Sequence, residues 1–415
     1  MNLFSVVFII VLFLATALQI WLARRQIRHV RQHRARVPEA FESRIETSAH
    51  HRGADYTIAK TRFGITETVF GALLLLGWTL GGGLELLDRL WLGSGLSPLL
   101  AGSALLLSVF LISGLLDMPL DAWKTFILER RFGFNRTSKG LFISDALKQG
   151  VLLVVLGLPL SLLVLWLMAS AGRLWWLYVW AVWVGFGLLM MWAYPAFIAP
   201  LFNKFTPLED PALVERIQRL FARCGFSAEG LYVMDGSRRS NHGNAYFTGL
   251  GRNKRIVFYD TLLKSLDADE IEAVLAHELG HFRRHHVRKR FLTIAAFALA
   301  GLALLGYLAG QAWFYQGLGV SHPSTAMALL LFLMVSPVFT FFIQPLLAWG
   351  SRRHEFEADE FAAEQTDGRA LIKALVKLYE ENASTLTPDP LYSAFHDTHP
   401  PAPVRVAHLS TKLPG

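Results

Sequence analysis

A single cysteine, Cys224, stands among 415 residues. One thiol excludes an internal disulfide framework and any cysteine-based zinc cluster, and Cys224 itself reads as a helix-packing residue. Charge is scarce as well: Asp, Glu, Lys and Arg make up 17% of the chain against 53% hydrophobic residues, with 12 Trp and 30 Phe. So apolar a composition excludes an ordinary soluble enzyme and points to lipid-buried helices. No basic residue precedes the first apolar run; the positive charge of Arg24, Arg25, Arg28 and Arg31 follows it. A secretory signal peptide carries its positive charge in front, so this run is expected to be an uncleaved anchor with its N-terminus outside. The net charge of +8 does not imply nucleic acid, because much of the excess borders the apolar runs.

Apolar stretches long enough to cross a bilayer occupy residues 3–23, 69–87, 96–116, 150–169, 174–198, 291–314 and 325–349. The second carries Glu67 at its entrance, Glu85 near its exit and the run Gly81-Gly82-Gly83, a site of close packing or a break. Alternation places 24–65, 117–149, 200–290 and 350–415 in the cytosol, and these segments hold most of the Lys and Arg. The positive-inside rule and the span count therefore agree. The expected class is a mainly α polytopic membrane protein of about seven spans with a small cytosolic α+β segment. Its expected divisions are 1–200 (five spans), 201–290 (soluble-looking segment), 291–350 (spans six and seven) and 351–415 (C-terminal segment).

Within the insert, Asp210-Pro211 forms an N-cap and first-turn pair that opens an amphipathic helix ending at Gly225. Short β-like runs follow at 231–234, 245–247 and 255–259. Asp267 with Glu270 is a capping-box pattern for the next helix, whose apolar side carries Ile271, Val274 and Leu275. That helix then delivers His277, Glu278 and His281, in the run His-Glu-Leu-Gly-His. Positions i and i+4 share a helix face, so both imidazoles can reach one ion while the glutamate polarises a water on it. His285 and His286, one turn further among arginines, are expected to be interfacial and solvated.

Two histidines hold a catalytic zinc poorly, and a third protein ligand leaves the fourth position for water. The segment after the last span, Ser351-Arg352-Arg353-His354-Glu355-Phe356-Glu357-Ala358-Asp359, returns to the same membrane face. Glu355 and Asp359 are an i, i+4 pair; one can bind metal while the other hydrogen-bonds a ligand histidine. The competing reading is a solvated acidic face beside the arginines. Glu357 is a weaker candidate, and His354 would require a different helix face.

These motifs do not stand alone. Ala54-Asp55-Tyr56-Thr57-Ile58-Ala59-Lys60-Thr61-Arg62-Phe63, Phe132-Gly133-Phe134-Asn135 and Ile198-Ala199-Pro200-Leu201-Phe202-Asn203-Lys204-Phe205 precede them. Asn244-Ala245-Tyr246-Phe247-Thr248-Gly249, Lys254-Arg255-Ile256-Val257, Asp389-Pro390-Leu391-Tyr392-Ser393-Ala394-Phe395-His396 and His399-Pro400-Pro401 lie around them. In this order the chain resembles the type-1 CaaX prenyl proteases, integral-membrane zinc metalloendopeptidases that cleave prenylated C-terminal motifs in eukaryotes. The resemblance implies one zinc per chain on His277, His281 and Glu355, with Glu278 as general base. It implies Asp359 as the acid behind the ligands, and His399 and Arg405 near the scissile bond, where either could stabilise an oxyanion. Asn244, Ala245, Tyr246 and Phe247 would form the strand edge along which an extended peptide pairs. The implied fold is seven long helices enclosing a water-filled chamber, with zinc near its cytosolic end.

The expected function is hydrolysis of peptide bonds in membrane-associated or CaaX-like protein substrates by a Glu-activated water on zinc. The expected partners are a peptide or protein substrate and the lipid bilayer, with no nucleic acid. The rivals are a quality-control protease like the heat-shock membrane metallopeptidases, and a non-catalytic translocon clearance or transport factor with structural zinc. The run 410–415 carries no endoplasmic-reticulum retrieval signal. With a short, loop-poor chain, that predicts a bacterial inner membrane, the endoplasmic reticulum being the alternative. Protein prenylation is not the expected chemistry in bacteria, which separates the peptidase mechanism from CaaX specificity.

Overall fold

The computed structural model describes residues 1–228, 230–248 and 255–413. Gly249 and Lys254 of the sequence blocks above, with Pro414 and Gly415, lie outside the described residues. The first half is built of α1 (Leu3–Gln32), α2 (Thr47–Trp78), α3 (Gly83–Leu92), α4 (Pro98–Trp123), α5 (Lys139–Ser170), α6 (Trp175–Ala193) and the short α7 (Ala199–Phe202). Small polar residues start these rods: Asn2 and Ser5 form a capping box, while Ser97 and Ser138 accept from the third backbone amide beyond them. Among the described residues, six helices are long and apolar enough to cross a membrane, and a bent pair, α2 with α3, makes a seventh if taken as one span. The bend of 46° falls on the glycine run. Gly82 has φ +81°, and a Cβ on Gly81 would stand 2.8 Å from the Gly77 carbonyl oxygen. The triple glycine is therefore a break in the span.

The soluble-looking segment contains α8 (Pro211–Cys224), α9 (Asp260–Ser265), α10 (Ala268–Arg283) and a four-stranded sheet. Its strands β1 (Phe205–Pro207), β2 (Gly230–Met234), β3 (Ala245–Thr248) and β4 (Arg255–Tyr259) lie in the order β1-β2-β4-β3. β2 and β4 pair in parallel, whereas β1 and β3 are antiparallel edges. Strand β1, ending at Pro207, is too short to carry a sequence signal. The rest comprises α11 (His286–Leu308), α12 (Ala312–Gly317), α13 (Thr325–Thr340), α14 (Gln344–Gln365), α15 (Gly368–Glu381), α16 (Pro390–His396) and α17 (Ala402–Ser410).

Several helices, α1, α2 and α5 among them, run beyond their apolar stretches, and two further boundaries bear on the site. The sixth span stops at Leu308, and Phe314 sits in the separate α12, buried against Phe4. The seventh does not stop at residue 349. After a short 3-10 turn at Phe341–Ile343 its direction continues as α14 to Gln365, with Pro345 in the first turn. Hydropathy sees only where side chains turn polar; the backbone hydrogen-bond ladder carries on regardless.

The four segments assigned by alternation to one side do meet. Tyr56 donates to Glu129 at 2.7 Å, Arg239 pairs with Asp145, and Arg25 grips the buried Asp389. At the other end Asn2 donates to the Trp313 carbonyl, and Glu85 accepts from Ser321. Between these ends lie two cavities of about 970 and 680 Å³ that share Gln19, Glu67 and Thr68. They form one chamber, walled by α1, α2, α4, α13 and α14 and reaching His399. Replacing Gly82 by valine forces a β-branched residue into left-handed backbone, at a cost on the order of 1–3 kcal/mol. Gly82→Val should lower the thermal unfolding midpoint of the detergent-solubilised protein; an unchanged midpoint would mean the bend does not depend on that conformation.

Candidate active site and metal centre

Helix α10 starts on a complete capping box, Asp267 accepting from the Glu270 amide and Glu270 from the Asp267 amide, each at 2.9 Å. Its Ile271, Leu275, Ala276 and Leu279 are buried in a core shared with α8, α14, α15 and the sheet. The decisive contact is at Gly280. A Cβ there would stand 2.9 Å from the Ala358 Cα and 3.1 Å from its carbonyl oxygen. Any side chain at 280 would hold α14 away. Because the backbones touch, Glu355 and Asp359, one on each side of Ala358 along α14, arrive beside His277 and His281.

The donor atoms converge. His277 Nε2 and His281 Nε2 lie 3.2 Å apart, and Glu355 Oε2 and Oε1 approach them at 3.5 and 3.3 Å respectively. One ligand atom from each of these three residues falls within 4.8 Å of the others. Glu355 is buried, and its Oε2 has no hydrogen-bond partner, a costly state for a carboxylate oxygen unless a cation meets it. Two imidazoles and a carboxylate with an uncommitted oxygen fit a divalent metal of the zinc type. Electrostatics agree: burial pushes against charge on His277, yet Asp359 and Glu355 outweigh it and raise its pKa to about 9. The pocket favours positive charge. Glu278 is half-buried on the turn between the two histidines.

Of the carboxylate pair, Glu355 is the one in the cluster, while Asp359 stands behind it. His277 Nδ1 has the Asp359 Oδ1 acceptor at 2.8 Å and, further off, Arg405 Nη2 at 3.3 Å; the shorter carboxylate contact makes the ring donate from Nδ1 and turn Nε2 to the cluster. Asp359 is fully buried, and Arg405 covers it with Nε and Nη2, with Nε at 2.9 Å. Arg405 is itself buried and keeps only Nη1 for Glu355, 3.8 Å from Oε2. His399 lies on the chamber side, exposed to the cavity, with Nε2 3.3 Å from Glu355 Oε1. Burial lowers its pKa, with Arg405 adding to the effect and Glu355 opposing it.

Three features escaped the sequence reading. Gly280 was only a spacer in the motif. Arg352 donates Nη1 to the carbonyls of Ser393, Ala394 and Asp397, capping α16 and fixing the turn that leads to His399. His286 is the correction: it is buried, not solvated, lying 3.0 Å from His281 Nδ1 through its own Nδ1. His285, at φ 59°, breaks the helix and folds His286 back onto α10. Asn244, Ala245, Tyr246 and Phe247 lie together at β3, whose outer side is a free sheet edge among the described residues. Asn244 and Tyr259 also line the chamber.

Comparison with known proteins gives a consistent picture. Residues 26–204 match the family described as CAAX prenyl protease N-terminal, five membrane helices, and residues 207–413 match peptidase family M48. The CAAX prenyl protease 1 homolog of Arabidopsis thaliana is 35% identical over 384 residues, covering 88% of each chain. CAAX prenyl protease 1 of Saccharomyces cerevisiae is 32% identical, covering 90% of this chain and 88% of its own. The crystal structure of S. mikatae Ste24p superposes with a TM-score of 0.91 at 29% identity, covering 99% of both chains.

Substitutions at Gly280, and at Arg405 with Asp359, test the geometry. Gly280→Val should separate α10 from α14 and abolish stoichiometric metal binding in the purified protein; retained binding would show that the contact does not set the cluster. Arg405→Met leaves Asp359 as an unpaired buried charge, a loss of about 3–5 kcal/mol that should appear as a lower unfolding midpoint, relieved when Asp359→Asn is added.

Proposed function

This chain belongs to the CAAX prenyl protease family of M48 metallopeptidases, and from that membership we propose that His277, His281 and Glu355 hold one zinc ion at which Glu278 directs peptide hydrolysis. The protein is a multi-pass membrane metalloendopeptidase. The observation that supports the zinc assignment is the meeting of these three donors from two sequence-distant helices, with a buried glutamate oxygen unpartnered.

Zinc, when bound, lowers the pKa of a water towards neutrality and polarises the scissile carbonyl. Glu278 takes the proton from the attacking water and returns it to the leaving amine. His399, facing the chamber, donates a hydrogen bond to the oxyanion as it develops. Asp359 orients His277 through Nδ1, and Arg405, its fork engaged by Asp359, is a positioning residue that neutralises that buried charge. An extended substrate lies along the free edge of β3 at Asn244–Phe247, so that backbone hydrogen bonds place it with little demand on side-chain identity.

Substrates are membrane-associated proteins cut near a C-terminus of the CaaX kind named for the relatives, admitted to the chamber above the site. The site faces the cytosol, as the arginine-rich connections on that side indicate, with the N-terminus outside.

The Glu278→Gln protein should retain one zinc and cleave a CaaX-terminated peptide about a hundred- to ten-thousand-fold more slowly. Equal turnover by the variant would overturn the assignment. Chelation of the wild-type protein should abolish cleavage and added zinc should restore it; chelator-resistant cleavage would exclude the metal from the reaction.

A further inference from the structure

The two histidine ligands are supported differently. His277 reaches a carboxylate directly, Asp359 at 2.8 Å. On the Nδ1 side, facing away from the cluster, His281 reaches a carboxylate through another imidazole: its Nδ1 lies 3.0 Å from His286 Nδ1, and His286 Nε2 lies 3.0 Å from Glu357 Oε2. His286 is buried and stacked on His354 with ring centroids 4.1 Å apart and planes 13° apart, so its orientation is fixed. Glu357 is half-exposed, with Lys289 4.0 Å away.

We propose that His286 and Glu357 form a positioning relay that sets the tautomer and basicity of the His281 ligand. The protons follow from the geometry. With Nε2 of His281 turned to the cluster, its proton is on Nδ1 and donates to His286 Nδ1. His286 then carries its own proton on Nε2 and donates it to Glu357. Each ring has one arrangement that satisfies both nitrogens, and the terminal carboxylate selects it. This is a carboxylate–histidine support with one imidazole inserted, reaching from the metal site to the protein surface.

The proposal rests on His281 holding the metal, and the experiment separates the two. Full-length protein in lipid nanodiscs is stripped of metal and titrated with zinc against a competing chelator, then with Co²⁺ to record its visible absorption bands. His281→Ala should lose stoichiometric zinc; if it binds as wild type, the ligand assignment itself fails. Glu357→Ala, at a half-exposed position that leaves the core intact, should weaken zinc about tenfold, and His286→Phe about ten- to a hundredfold. Both should shift the Co²⁺ bands, and His286→Gln, which can accept and donate, should recover most of the affinity. If His281→Ala loses zinc while Glu357→Ala and His286→Phe keep wild-type affinity and spectra, the relay is refuted alone. A His286→Gln protein as weak as His286→Phe, with Glu357→Ala unchanged, would make His286 a packing residue and also refute it.

Discussion

Backbone contact between α10 and α14 at Gly280 and Ala358 is the constraint on which the rest of the site depends. A histidine side chain reaches only a few ångströms from its helix axis, and so does a glutamate. For two imidazoles and a carboxylate to share an ion, the two helices must approach more closely than ordinary side chains permit. Gly280 removes the obstacle on one helix, and Ala358 offers the smallest side chain on the other. The glycine inside the His-Glu-Leu-Gly-His run is thus as much a part of the metal centre as its donors. The buried aliphatic face of α10 and the core beneath it hold the approach in place.

Charge at the centre is arranged with similar economy. Glu355, Asp359 and Arg405 are all buried within a few ångströms of His277. With neutral imidazoles, and once Glu278 has taken its proton, these groups leave one negative charge in excess. A divalent cation reverses that to one positive, the sign required beside an oxyanion. Without Arg405 the excess would be two negatives, and the cation would be held in a neutral pocket with nothing left over for the transition state. Burying an arginine costs desolvation, and this electrostatic balance is what the cost secures.

Much of this was legible from sequence for identifiable reasons. Asp267 with Glu270 announces α10 because a capping box is a local pattern. The pair Glu355 and Asp359 announces itself because helical periodicity is local too. The spans were countable because lipid imposes length and apolarity. What was not legible depends on contacts between distant segments. His286 reads as another basic surface residue until the left-handed turn at His285 and the stacking on His354 bury it. Arg405 is placed near the scissile bond by resemblance alone, and nothing local in the sequence shows its pairing with Asp359. The chamber follows from the resemblance alone, since a void is defined by where helices fail to touch and leaves no periodicity of its own. The overrun of the seventh span into α14 was missed because a hydropathy window ends where polarity begins.

That overrun joins the chemistry to the bilayer. The histidine helix hands over directly to the sixth span, and the glutamate sits on the continuation of the seventh. An ion held by the proposed ligands would therefore fasten two membrane helices together at the surface, like a clasp. Its binding free energy is shared between the reaction centre and the assembly of the helix bundle, because whatever binds only the folded arrangement stabilises it by mass action. Metal supply would then bear on how this membrane protein is assembled as well as on how it works, because sixth and seventh helices packed askew would present no place for the ion.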